Sequence, residues 1–165
     1  GAIAIANGLK GLKGLTSLDI GHIDLEDADA IATMTNLTSL NIRGNYLEDA
    51  DAIAKLTNLT SLDIRRNGIG DDGAIAIANG LKSLTSLDIG FNRIGPNGAI
   101  AIATMTNLTS LDIEANSIRA DGAIAIANGL KSLTSLVIRY NGIGPNGEKA
   151  IATITNLTSL NIGRN

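Results

Sequence analysis

The chain has 165 residues, of which 44% are hydrophobic and 18% charged, and its formal net charge is −3. This length suffices for one domain with a sizeable core, and the slight negative charge argues against a nucleic-acid or anionic-membrane surface. Cysteine is absent, which excludes disulfides and thiolate metal sites and leaves the cellular location unknown. No apolar run approaches the ~20 residues that span a bilayer, so we expect no membrane insertion.

The chain begins with a segment that returns later in the sequence. Residues 1–9 recur without change from Gly73 and from Gly122. They have neither the charged start nor the long apolar run of a signal peptide. Verbatim recurrence is typical of an idealised or designed scaffold, and a start inside a repeat also fits a fragment excised from a longer protein. We find no polar cap at either end and expect uncapped ends.

The unit that repeats along the chain runs from Leu84 to Ile89 and is followed by Asn92. Alternate side chains of a strand point to opposite faces, so its aliphatic residues turn inward while Ser86 and Asp88 face solvent. The Asn92 amide can satisfy backbone groups in the bend that follows. One unit cannot bury its own apolar side, so neighbouring units must stack. The copies begin at Leu15, Leu37, Leu59, Leu84, Leu108, Leu133 and Leu157.

The connectors between these units predict short helices. Their alternation of Ala and Ile could form a strand, but Ala favours helix over strand. One helical face would then gather Ala74, Ile77, Ala78 and Leu81. Short polar side chains are expected as N-caps, namely Asp72, Asn97, Asp121 and Asn146. The glycines of Asn79-Gly80 and Asn128-Gly129 are expected to end their helices in the left-handed conformation.

The pattern L-x-x-L-x-L-x-x-N resembles the leucine-rich repeat family over essentially the whole chain. Its first repeats resemble the short repeats of internalin-type proteins, and the later, longer ones resemble a shortened ribonuclease-inhibitor type. The resemblance implies a single α/β solenoid domain over residues 1–165, with parallel strands on the concave face and short helices on the convex face. It also implies a recognition module that binds a protein or peptide on the strand face. A designed scaffold without a natural ligand is the alternative.

The positions just after each strand vary while the core positions hardly change. The chain's aromatic side chains and most of its arginines lie there, and Tyr and Arg are enriched at interface hot spots. Exposed positions can also drift because nothing constrains them. We predict a binding face formed by Arg43, Tyr46, Asp63, Arg65, Arg66, Asp88, Phe91, Arg93, Asp112, Glu114, Arg139 and Tyr140.

Three aspartates occupy the same position in consecutive strands: Asp63, Asp88 and Asp112. Adjacent strands lie ~4.8 Å apart, so the stacked carboxylates would either raise a pKa or recruit a cation. We expect nearby arginines to neutralise the row, and we predict neither a metal nor a cofactor. These arginines are Arg65, Arg66 and Arg93.

No catalytic constellation emerges from the remaining polar residues. His22 has no cysteine or second histidine with which to form a metal site, and it is interpreted as a solvated loop residue. The serine of the repeat recurs in every copy, whereas a nucleophile needs a unique base and an oxyanion site. We therefore predict that the protein is not an enzyme.

A second surface is predicted on the convex side. Ile75, Ile100 and Ile124 share one position with the charged residues of other repeats, which implies exposure to solvent. Ile3 would share that position as well. An apolar strip of this kind would support weak homo-association or a second partner site. The alternative is that these isoleucines fold back between adjacent helices. The charged residues at this position are Asp29, Asp51 and Lys149.

Overall fold

The computed structural model describes residues 8, 9, 11–25 and 28–165. Within them, seven strands form one parallel sheet in chain order, and each strand pairs serine with serine and leucine with leucine of the next. The chain is therefore an α/β solenoid with one strand per repeat, which confirms the predicted fold class. The strands are β1 (Ser17–Asp19), β2 (Ser39–Asn41), β3 (Ser61–Asp63), β4 (Ser86–Asp88), β5 (Ser110–Asp112), β6 (Ser135–Val137) and β7 (Ser159–Asn161).

The apolar side of each strand unit faces a single continuous core. Leu84, Leu87 and Ile89 are all buried, whereas Ser86 and Asp88 are only half-buried on the opposite side of β4. The core cluster extends from Leu9 to Ile154 without a break. Stacked neighbours thus supply the burial that one repeat cannot achieve alone.

The connectors form helices of two kinds. The first two connectors contain three-residue 3-10 helices, Ile31–Thr33 and Ile53–Lys55. The longer connectors that follow hold α1 (Gly70–Gly80), α2 (Pro96–Ile102), α3 (Arg119–Gly129) and α4 (Gly144–Ile151). All four residues of the predicted helical face are buried, namely Ala74, Ile77, Ala78 and Leu81. No helix in the described part of the chain has the length and apolar character to cross a membrane.

The prediction of the N-caps is wrong. The α-helices begin earlier than expected, and the residues that precede them make no side-chain cap bond. Neighbouring repeats satisfy their free amides instead. Gly70 N donates to Asn92 O at 2.9 Å, and Asp71 Oδ1 accepts from Gly95 N and Gly98 N at the start of α2. The expected caps Asp72, Asn97, Asp121 and Asn146 lie within the helices.

The predicted left-handed stops at Gly80 and Gly129 are also wrong, because neither residue has a positive φ. These glycines are required by close packing. A Cβ at Gly80 would lie 2.2 Å from Ala54 O, and one at Gly129 would lie 2.1 Å from Ala103 O. Each long helix therefore ends against the backbone of the shorter connector before it.

A ladder of asparagines, buried in all but the last repeat, connects the bends after the strands. Asn92 is fully buried, and its Nδ2 donates to the carbonyls of Ile64, Ile89 and Gly90 at 3.0–3.2 Å. Its Oδ1 accepts from the amides of the preceding repeat. The same pattern recurs in neighbouring repeats, which confirms the predicted structural role. The ladder consists of Asn45, Asn67, Asn92, Asn116, Asn141 and Asn165.

Candidate functional site

The bend after each strand has a recurring left-handed residue that the sequence analysis missed. This residue lies directly before the ladder asparagine, or before Ile23 in the first repeat, and its φ falls between 53° and 63° in all seven repeats of the described chain. Glycine adopts this conformation readily, so Gly44 is the only residue at this position whose type indicates a left-handed bend. Bulky residues rarely adopt it and cost free energy there. The residues are His22, Gly44, Arg66, Phe91, Ala115, Tyr140 and Arg164.

Arg65 is the centre of the strand face. Its Nη1 lies 3.3 Å from Asp88 Oδ2 and 3.1 Å from Asp112 Oδ2, and its Nη2 lies 3.1 Å from Glu114 Oε2. One guanidinium thus contacts carboxylates of the next two repeats. Partial burial alone would lower the pKa of Arg65, but Asp88, Asp112 and Glu114 together outweigh it and raise the pKa, so the group stays charged.

The aspartate row also stabilises the bends. One carboxylate oxygen of Asp63, Asp88 and Asp112 accepts from the backbone amide two residues later, at 2.9–3.1 Å. Burial raises the pKa of Asp63 and of Asp112, and the charge of Asp88 adds to both shifts. The predicted neutralisation comes from Arg65, whereas Arg66 and Arg93 make no ion pair among the described residues.

Two arginine–aromatic stacks border this cluster. The guanidinium carbons of Arg65 and Arg66 lie 4.9 and 4.5 Å from the centre of the Phe91 ring. Arg139 and Arg164 lie 4.7 and 5.5 Å from the centre of the Tyr140 ring. Contact with the face of a ring does not itself use the N–H groups of a guanidinium, which can still donate at its edge.

The second stack also affects the Tyr140 hydroxyl. Arg139 lowers the pKa of this hydroxyl most strongly, and Arg164, which donates to it, lowers it further. Arg164 was absent from the predicted binding face. Glu114 links the two stacks, because its Oε1 lies 3.8 Å from Arg139 Nε.

Three predicted residues lie apart from these contacts. Arg43 Nε contacts His22 Nε2 at 3.2 Å, in the N-terminal repeats. Tyr46 is 64% exposed, and Arg93 is exposed in a left-handed conformation. The structure therefore brings together nine of the predicted residues, from Asp63 to Tyr140, and adds Arg164.

The predicted strip of isoleucines on the helices is partly exposed. Ile100 and Ile124 are exposed, whereas Ile75 is half-buried. Ile3 lies outside the described residues, and association through this strip stays a prediction. His22 is exposed as expected. Within residues 8, 9, 11–25 and 28–165, no three His, Cys, Asp or Glu side chains gather in a way that could hold a metal ion.

Replacing Asp63 by asparagine should raise the melting temperature at pH 7 by about 1–2 °C. The raised pKa means that the folded protein holds this proton more tightly than the unfolded chain does, so ionisation costs stability as the pH rises above 3.8. Asparagine keeps the acceptor for the Arg65 amide, as Asn41 does for Arg43. At pH 3 both states are protonated, and thermal melts should show no gain. An equal gain at both pH values would refute the electrostatic explanation.

Three family models match the chain. A model described as "Leucine rich repeat" matches residues 57–118, one described as "Leucine Rich repeats (2 copies)" matches residues 35–76, and one described as "Leucine Rich repeat" matches residues 129–152. Together these matches cover more than half of the sequence. No curated protein matches the chain.

Solved structures show the same architecture. An internalin (inlF) from Listeria monocytogenes is 32% identical with a TM-score of 0.83, and the match covers 99% of this chain and 45% of that chain. The chain thus spans less than half the length of that protein. Internalin C2 (inlC2) from the same organism is 23% identical with a TM-score of 0.69, covering 96% of this chain and 82% of that one. This second similarity concerns the fold alone.

Proposed function

The chain belongs to the leucine-rich repeat family, and from this premise we propose that it binds a protein or peptide through the concave strand face. The family and the internalin-like structure support a protein-binding repeat module in general. The choice of the strand face rests on the cluster centred on Arg65. The proposed binding residues are those that contact this cluster or the two arginine–aromatic stacks.

The Arg65 cluster carries the proposal because it lies outside the hydrophobic core. The core lies on the other side of the strands, and the asparagine ladder joins the repeats through the bends. Arg65 nevertheless fixes three carboxylates, and Phe91 and Tyr140 remain 36% and 38% exposed despite their left-handed backbone. Strained, exposed aromatic residues beside ordered guanidinium groups are typical of binding hot spots.

A designed scaffold without a natural ligand is the second candidate. The observation that favours it is the unchanged recurrence of the nine-residue segment that begins at Gly1, Gly73 and Gly122. Such a scaffold would have an Arg65 cluster but no partner that depends on it. Affinity capture with quantitative mass spectrometry therefore distinguishes the two candidates when variants of the strand face serve as baits.

Replacing Phe91 or Tyr140 by alanine should weaken partner binding by about 2 kcal/mol while leaving the fold intact. Both rings are exposed, so their removal leaves no cavity in the core. The affinity of the captured partner for each variant gives the measurement, and the melting temperature of each variant checks the fold.

Thr85→Ala is the matched control for these two variants. Thr85 is exposed at the other end of the strand unit from Phe91, and its hydroxyl makes one bond, to Thr60 O at 3.1 Å. The control should bind like the parent. Equal losses from Thr85→Ala and Phe91→Ala would contradict the assignment of the face. Capture that is identical for all baits would favour the scaffold candidate.

A further inference from the structure

We infer that the strand face selects an acidic peptide segment, which lies in extended form across the bends from β3 to β7. This inference rests on the proposed function and adds the chemistry of the ligand. It follows from how the charged groups of the face divide into two rows.

The first row consists of carboxylates that already have partners. Asp88, Asp112 and Glu114 all contact Arg65, and Glu114 also faces Arg139. The remaining member, Asp63, accepts a backbone hydrogen bond from Arg65 and is half-buried. A cationic ligand would therefore have to compete with Arg65 for Asp88, Asp112 and Glu114.

The second row consists of guanidinium groups in the bends. Arg66 and Arg164 occupy equivalent positions directly before a ladder asparagine, and among the described residues neither forms an ion pair. Arg66 stacks on Phe91, and Arg164 stacks on Tyr140 and donates to its hydroxyl. A stacked guanidinium keeps N–H groups at its edge that match the two oxygens of a carboxylate. This row therefore complements an acidic ligand.

The spacing of the row limits the length of the segment. Arg66 follows β3 and Arg164 follows β7, four strand spacings apart in the sheet order. At ~4.8 Å per spacing this is ~19 Å, which about six residues of extended peptide span. Phe91 and Tyr140 lie between the two ends and offer apolar contacts. The expected ligand carries acidic residues near both ends of a six-residue stretch, with apolar or small residues between them.

Selection from a random library of displayed twelve-residue peptides tests this inference with the intact chain. Peptides that bind the parent should be enriched at least fivefold in sequences with two or more Asp or Glu within six residues. The best peptide, synthesised, should bind at least tenfold more weakly to Arg66→Gln/Arg164→Gln. The double variant Lys55→Gln/Lys149→Gln loses the same charge from exposed connector residues and should bind like the parent. Replacing the acidic residues of the peptide by their amides should weaken binding equally.

Different results overturn the two proposals. If the selected peptides depend on Phe91 and Tyr140 but show no acidic enrichment, the inference fails and the proposed function stands. If no selected peptide depends on any residue of the strand face, the proposed function fails as well. Equal binding by the two double variants also contradicts the inference. So does tighter binding of a twelve-nucleotide single strand than of the best peptide, because the row would then recognise phosphates of a nucleic acid.

Discussion

Replacing Asn92 by alanine should lower the free energy of unfolding by about 3–4 kcal/mol, which corresponds to a fall of about 10 °C in melting temperature. The side chain is fully buried and bonds five backbone groups of two adjacent repeats. Alanine would leave the amides of Asn67 and Gly68 without an acceptor, whereas the carbonyl of Ile64 would keep the bond from Asn67 Nδ2. Each unsatisfied buried group costs about 1–3 kcal/mol. Thermal and urea denaturation measure the loss.

Asn165→Ala is the matched control for this prediction. Asn165 donates to the carbonyls of Ile138 and Ile162 and accepts from Asn141 N, but its side chain is only half-buried. Water can replace bonds that are lost there, so the loss should be clearly smaller than at Asn92. An unchanged melting temperature for Asn92→Ala would contradict the structural role of the ladder.

Replacing Gly80 by alanine should destabilise the fold by about 2–3 kcal/mol, although alanine is normally the better helix residue. The new Cβ would lie 2.2 Å from Ala54 O and 2.9 Å from Ala54 C, which are backbone atoms that cannot rotate away. Helix α1 and the preceding connector would have to separate. The destabilisation is measured by chemical denaturation.

Asn79→Ala provides the comparison for Gly80→Ala. Asn79 is exposed in the same last turn of α1, so alanine there should leave stability unchanged or raise it slightly. Gly129→Ala should reproduce the Gly80 result, since its Cβ would meet Ala103 O at 2.1 Å. If Gly80→Ala stabilised the protein as much as Asn79→Ala does, the close approach would not exist in solution.

The repeated strand and the ladder asparagine could be predicted from the sequence because they recur in every regular repeat. The inward aliphatics and the ladder asparagine recur at fixed spacing, so stacking identical units brings each of them to its counterpart in the next repeat. The connectors were predicted less well, because contacts between repeats decide how the helices begin and end. Asp71 accepts hydrogen bonds from the start of α2 and not from its own helix. The carbonyl of Ala54 leaves no space for a Cβ at position 80, so this position requires glycine. Neither contact has a sequence pattern.

The candidate site could likewise be predicted from the sequence only in part. The row of Asp63, Asp88 and Asp112 follows directly from the repeat register. The sequence does not show which arginine neutralises the row, because Arg65 and Arg66 are adjacent in the chain. The left-handed bend separates them, so that Arg65 reaches the carboxylates while Arg66 stacks on Phe91. The left-handed position before the ladder asparagine holds one glycine and several other residue types, so no sequence pattern marks it.

The most direct test of the central claim is hydroxyl-radical footprinting of the chain with and without the best selected peptide. The method reports the solvent access of single side chains, and the exposed aromatic residues are among the more reactive. The strand-face account predicts that the peptide protects Phe91 and Tyr140, whereas Ile100 and Ile124 on the helices keep their reactivity. Protection of Ile100 and Ile124 with Phe91 and Tyr140 unchanged would contradict it.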